Sequence, residues 1–259
     1  MPFLDRAEGR IHYQVSGPPG APALTFSNSL GTDLAMWDLQ ATPLSRTYRL
    51  LRYDGRGHGQ SSVTPRPYSI AGLANDVLSL LDASKIDRTD FCGLSLGGMI
   101  GMWLAVHAPA RLGQLVLSNT AAKIGSAESW NARMQAVSEG GMQAIVEAVL
   151  ERWYTPAFRS ASPAVVEATR RTLLQTPAEG YVASCAALRD ADLREAVSAI
   201  QAPTLIIAGT CDPATTPADG HFMANRIRGS KYVELPAAHL SNLEASDAFT
   251  MELSKFLSN

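Results

Sequence analysis

The sequence predicts an α/β architecture: a mostly parallel β-sheet with helices on both faces. Short apolar runs alternate with helical patterns along most of the chain. Two of those runs, Leu112-Gly113-Gln114-Leu115-Val116-Leu117-Ser118 and Thr204-Leu205-Ile206-Ile207-Ala208-Gly209, read as strands buried on both sides, as parallel sheets require. A chain of 259 residues, 46% hydrophobic, can also bury one large core.

Taken in order, strands are predicted over residues 11–15, 23–26, 48–53, 89–92, 112–118, 204–209 and 231–235. A Gly/Pro turn at 16–21 closes the first, and Asp54-Gly55 ends the third. Helices are predicted over 70–83, 97–107, 219–228 and 245–257. From about 122 to 200 no strand-like run occurs. Helical stretches over 128–138, 141–153, 163–175 and 178–188 take its place, punctuated by Gly140-Gly141, Thr155-Pro156 and Thr176-Pro177. Four successive helices with no return strand do not fit a doubly wound sheet. Residues 122–200 are therefore expected to form a helical cap inserted into a core made of 1–121 and 201–259.

Charged residues make up 18% and the net charge is −2. With no basic stripe or acidic tail, neither nucleic acid nor an anionic membrane is an expected partner. The N-terminal residues lack a basic region followed by an apolar run, and no apolar stretch is long enough to cross a bilayer. Three scattered cysteines, Cys92, Cys185 and Cys211, form no C-x-x-C. Reduced thiols and a cytoplasmic location are the expectation. No His/Cys/Asp/Glu cluster has metal spacing. The run Asp54-Gly55-Arg56-Gly57-His58-Gly59 lacks the residues of a Walker loop and the spacing of a dinucleotide site. No metal or cofactor is expected.

Gly93-Leu94-Ser95-Leu96-Gly97 sits between a predicted strand and a predicted helix. A G-x-S-x-G there is the nucleophile elbow of an α/β-hydrolase fold, in which Ser95 is held on a strained turn at the helix N-terminus. A serine hydroxyl needs a base, and the base an orienting acid. In this fold they follow in the order Ser, acid, His, each in a loop after a strand. Asp212, beyond the strand 204–208, is the candidate acid. His239, beyond the last strand, is the candidate base, expected within hydrogen-bonding range of Ser95. His12, His107 and His221 read as structural, and His58 precedes the nucleophile, the wrong order for the base. The oxyanion requires two backbone donors. Leu96 N–H, directly after the nucleophile, is one candidate. Leu30 N–H, in Ser27-Asn28-Ser29-Leu30-Gly31, is the other. Asn28 is a candidate substrate contact, or alternatively a brace for that loop.

Two runs before the elbow, Ser27–Gly31 with Met36-Trp37-Asp38 and Arg52-Tyr53-Asp54-Gly55-Arg56-Gly57-His58-Gly59, carry a closer likeness. Gly93 to Met99, Gly209-Thr210-Cys211-Asp212-Pro213-Ala214-Thr215 and Ala237-Ala238-His239 extend it, as do Trp130-Asn131-Ala132-Arg133 and Glu151-Arg152-Trp153-Tyr154-Thr155-Pro156. With these the chain resembles the capped α/β-hydrolases, and within them the 3-oxoadipate enol-lactonases of the β-ketoadipate route of aromatic degradation. It departs from the common His-Gly-apolar oxyanion motif, carrying Asn28-Ser29-Leu30 instead. The resemblance implies a small anionic lactone as substrate, a five-membered enol-lactone with an acetate arm. A buried carboxylate needs a partner, and Arg133 and Arg152, beside Trp130 and Trp153, are the candidates. A general carboxylesterase, a cofactor-free haloperoxidase-like hydrolase and a non-catalytic ligand-sensing receptor are the rival readings.

Overall fold

The computed structural model describes residues 2–258. Eight strands form one sheet: β1 (Phe3–Arg6), β2 (Gly9–Ser16), β3 (Ala23–Ser27), β4 (Arg49–Tyr53), β5 (Thr89–Leu94), β6 (Leu112–Ser118), β7 (Thr204–Gly209) and β8 (Lys231–Leu235). Their spatial order is β1-β2-β4-β3-β5-β6-β7-β8. β1 and β2 pair antiparallel, as do β2 and β4. Every pair from β4 to β8 is parallel. The carboxyl ends of the six parallel strands therefore share one edge. β3 pairs with both β4 and β5, so the winding direction reverses there. Such a switch point leaves a crevice outside the strand ends.

The helices are α1 (Asp38–Leu44), α2 (Ile70–Ala83), α3 (Leu96–His107), α4 (Ala127–Gly140), α5 (Val146–Trp153), α6 (Pro156–Ala161), α7 (Pro163–Gln175), α8 (Ala178–Asp190), α9 (Pro217–Ala224), α10 (Ser241–Glu244) and α11 (Ser246–Leu257). α2 buries Ile70, Leu73, Ala74, Val77, Leu80 and Leu81, the stripe its 3.6-residue period lays on one face, and Ser69 caps it by accepting from Gly72 N–H. α3 is different. It is buried on nearly every side between the sheet and its neighbours, so its sequence is apolar all round. The central strands are likewise buried on both faces, as in the six fully buried residues of β7.

Between β6 and β7 the chain is helical, from α4 through α8. A capping box between Ser126 and Ser129 starts α4. The structure adds four elements to the sequence reading, one of them α10, a single four-residue turn ahead of α11. β1 is a four-residue edge strand with polar Asp5 and Arg6. α1 carries a proline, Pro43, and α6 is a single turn and a half opened by Pro156. All four are too short or too proline-bearing for periodicity to show. α9 also begins earlier than expected, at Pro217, because Thr216 and Asp219 cap it reciprocally. Among the described residues, no helix is long and apolar enough to cross a membrane.

Candidate active site

Ser95 stands between the last residue of β5 and the first of α3, with φ 58° and ψ −113°. A side-chain-bearing residue there is strained, and the surroundings hold it. Its N–H donates to the Ser118 carbonyl at 3.0 Å. Its own carbonyl accepts from the Thr120 hydroxyl at 2.7 Å and from Gly98 N–H at 2.9 Å. The flanking glycines are required by space. A Cβ on Gly93 would lie 2.2 Å from the Gly97 carbonyl oxygen, and one on Gly97 would lie 2.2 Å from that of Ser27.

Asp212 follows β7 in a loop that folds back on its own carboxylate. Oδ1 accepts from Ala214 N–H at 2.8 Å and Thr215 N–H at 3.1 Å. Oδ2 accepts from the Thr215 hydroxyl at 2.7 Å and the Asn119 side-chain amide at 3.0 Å. The His239 ring completes the set, its Nδ1 2.8 Å from Oδ2. Burial alone would raise the Asp212 carboxyl, but the His239 ring and the Asn119 and Thr215 donors hold it at about 2. An ionised carboxylate only accepts, so Nδ1 carries the proton and Nε2 presents its lone pair.

Ser95 and His239 line one cavity of about 230 Å³. No hydrogen bond among the described residues joins the Ser95 hydroxyl to the ring. Asp212 and His239 are thus bonded, while Ser95 and His239 are neighbours on one cavity. A serine–histidine bond of this kind commonly tightens only when substrate is present.

The two candidate oxyanion donors stand free. Neither Leu30 N–H nor Leu96 N–H has a hydrogen-bond partner among the described residues. Leu96 is the first residue of α3, where an N–H has no intrahelical acceptor. The loop carrying Leu30 is tied to the elbow by Gly97 N–H, which donates to the Asn28 carbonyl at 3.0 Å. Here the sequence reading of Asn28 as a substrate contact is corrected. Its amide group donates to the Tyr53 carbonyl at 2.8 Å and its Oδ1 accepts from the Trp37 indole at 3.0 Å. The side chain is spent on bracing the loop, and it does not line the cavity.

The opposite wall comes from the helices between β6 and β7. Trp130 and Arg133 of α4, Arg152 and Trp153 of α5, and Tyr181 of α8 all line the cavity. The Trp130 indole donates to the Ile124 carbonyl at 2.6 Å, which fixes the ring. The Arg133 guanidinium lies over that ring, 4.9 Å from its centre. Arg152 is half-buried. Burial, then the nearby Arg133 charge, lowers its pKa. Neither arginine has an ion-pair partner among the described residues. Two cations thus face one cavity without an ion-pair partner, although the charge of Glu151 reaches Arg152 and the Tyr181 hydroxyl bonds to Arg133. Among the described residues, no group of three or more His, Cys, Asp or Glu is placed to hold a metal ion.

Sequence reasoning missed two residues. Asn119, at the end of β6, adopts a positive φ of 41°. Its amide donates to Asp212 Oδ2 and, at 3.1 Å, to the Ala238 carbonyl beside His239. Its Oδ1 accepts from the Ser241 hydroxyl. One side chain therefore sets the distance between acid loop and base loop. Its place directly after an apolar strand, at the same edge as the elbow, was the available signal. Glu244 is the second. Its carboxylate accepts from Ala238 N–H at 2.8 Å and from the Thr155 hydroxyl and N–H. It ties the base loop to the end of α5, and nothing in the sequence marks it.

The profile of a family described as "alpha/beta hydrolase fold" matches residues 22–246. 3-oxoadipate enol-lactonase 2 of Acinetobacter baylyi is 46% identical over 239 residues, 92% of this chain and 90% of that protein. The crystal structure of the enol-lactonase from Burkholderia xenovorans superposes with a TM-score of 0.98 at 44% identity, covering 100% of both chains. A thermophilic esterase from Thermogutta terrifontis, solved with malate bound, gives a TM-score of 0.93 at 25% identity, covering 100% of this chain and 98% of that one.

Proposed function

Because the chain belongs to the α/β-hydrolase family, we propose that it is a serine hydrolase opening the ring of 3-oxoadipate enol-lactone to give 3-oxoadipate, a step of the β-ketoadipate route. One observation carries this reading: Ser95 and His239 share a cavity with two arginines that have no carboxylate partner. A neutral ester would leave that charge uncompensated, whereas a lactone with an acetate arm supplies one anion. The 46% identity to an enol-lactonase and the fit to an enol-lactonase structure support the same choice. The cavity, about 230 Å³, suits a small ligand rather than a drug-sized one.

In this reading His239 Nε2 takes the Ser95 proton as Oγ attacks the lactone carbonyl. The negative charge that forms on the carbonyl oxygen lies between the Leu30 and Leu96 N–H groups, with the positive end of α3 behind it. Asp212 stabilises the imidazolium without taking its proton. Collapse breaks the ring C–O bond. The leaving group is an enolate, a better leaving group than an alkoxide, and His239 returns the proton to it. The enol becomes the ketone. Water, deprotonated by His239, then attacks the acyl-serine, and the carboxylate leaves as Ser95 regains its proton. Arg133 and Arg152 hold the acetate carboxylate throughout.

The rival within the same chemistry is a general carboxylesterase, favoured by the likeness to the thermophilic esterase. Loss of enol-lactone absorbance, followed beside p-nitrophenyl acetate hydrolysis, separates the two. A kcat/KM on the lactone well above that on the acetate is expected. Equal values, or a preference for the neutral ester, would remove the lactonase reading.

A further inference from the structure

Ser29 separates the substrate cavity from a second, smaller one. The smaller cavity measures about 20 Å³ and is lined by Ser29, Leu96, Asp54, His58 and Ser184, among others. About 10–15 Å³ is enough for one water and too little for any organic group. His58 is 3% exposed. Its Nδ1 lies 2.9 Å from the Arg56 carbonyl, which can only accept, so the ring proton sits on Nδ1. Burial lowers the pKa of the ring, which keeps it neutral. Nε2 is then a buried acceptor, and among the described residues no donor reaches it. Leaving such an atom bare is costly.

The surroundings say what that atom is for. A Cβ on Gly57 would lie 2.4 Å from the Gly180 Cα. The loop after β4 and helix α8 therefore meet backbone to backbone, one residue before His58. Ser184 stands one turn after Gly180, on the same face of α8. Tyr181, on the adjoining face, looks into the substrate cavity. Ser29 lines both cavities and directly precedes Leu30, while Leu96 lines the smaller one.

We propose that the smaller cavity binds a single water molecule, which donates to His58 Nε2 and bridges it to the Ser29 and Ser184 hydroxyls. His58 is then a positioning residue. Through the water it sets the backbone around Ser29 and Leu30, and so the second oxyanion donor, against α8. Three polar partners are what a buried water ordinarily makes. This inference does not depend on which ester the enzyme prefers.

A high-resolution crystal structure of the wild-type protein should show one ordered water within hydrogen-bonding distance of His58 Nε2. An unoccupied site there would overturn the proposal. Kinetics on p-nitrophenyl acetate test its consequence without relying on the lactone. His58→Leu should lower kcat about tenfold, the scale of a small misplacement at a reacting centre, and leave KM within about twofold. His58→Gln, which keeps an acceptor, should restore most of the loss. An unchanged kcat in a folded His58→Leu variant, or a change confined to KM, sinks the idea. If His58→Leu does not fold, Ser184→Ala removes one partner of the water, and an unaltered kcat in that variant has the same force.

Discussion

Two walls face each other across the substrate cavity, and they are built by different rules. The wall at the carboxyl edge of the sheet is over-determined. Asp212 accepts five hydrogen bonds, Ser95 is pinned at an unfavourable φ by bonds to β6 and α3, and the glycines around it allow no Cβ. The wall supplied by α4, α5 and α8 leaves Arg133 stacked on Trp130 and repelling Arg152, with no ion pair to either among the described residues. Apart from the Ser95–His239 contact, which has no hydrogen bond among the described residues, the first wall is in place without a ligand, as stabilising a transition state requires. In the proposed function the second is completed by the carboxylate of the ligand. Reactivity and selectivity are thereby separated, and a change in one wall should leave the other's function intact.

That separation can be broken most directly at the nucleophile. Ser95→Ala should lower kcat about 10⁴-fold or more on every ester, because triad members act as a unit. Turnover surviving in a purified variant would place the nucleophile elsewhere. Asn119→Ala comes next. Losing the link between acid loop and base loop should cost about 10- to 100-fold in kcat, equally on lactone and acetate, with KM little changed. A selective loss on the lactone would mean that Asn119 belongs to the other wall.

Arg133→Ala probes the second wall. A charge-assisted contact of about 1.5–3 kcal/mol translates into a KM for the anionic lactone raised roughly 10- to 100-fold. Hydrolysis of p-nitrophenyl acetate should stay nearly intact, and parallel losses on the two substrates would refute a carboxylate role. The smallest effect concerns stability. Asp212 binds its proton at about 2 in the folded state against 3.8 for the unperturbed group. Its contribution is thus fully present above pH 4 and lost as pH falls toward 2. The gap is on the order of 2 kcal/mol. Urea melts of wild type and Asp212→Asn should differ most above pH 5 and converge near pH 2. A gap that persists at pH 2 would deny the carboxylate its stabilising bonds.

Much of the first wall was readable along the chain. The strand–Gly-x-Ser-x-Gly–helix junction and the order Ser95, Asp212, His239 are local patterns, each set by the end of one strand. Less of the second wall was. Arg133 and Arg152 stood beside tryptophans, but only the packing of α4, α5 and α8 shows that both face the cavity lined by Ser95. Asn28 shows the limit within a single residue. Its position in the oxyanion loop was legible, but the direction of its amide was not, because its partners Tyr53 and Trp37 lie 25 and 9 residues away.

By itself the sequence determined the alternation of strands and helices, the strained elbow and the candidates for the reacting side chains. These follow from periodicity, from the space that glycine leaves and from the chemistry of single residues. Tertiary structure alone decided which groups converge. Asn119 reaches Asp212 across 93 residues, Glu244 reaches Thr155 across 89, and His58 meets the cavity beneath Ser29. A hydrogen bond depends on angstrom-scale distance and direction, and neither exists until the sheet has brought its strand ends to one edge.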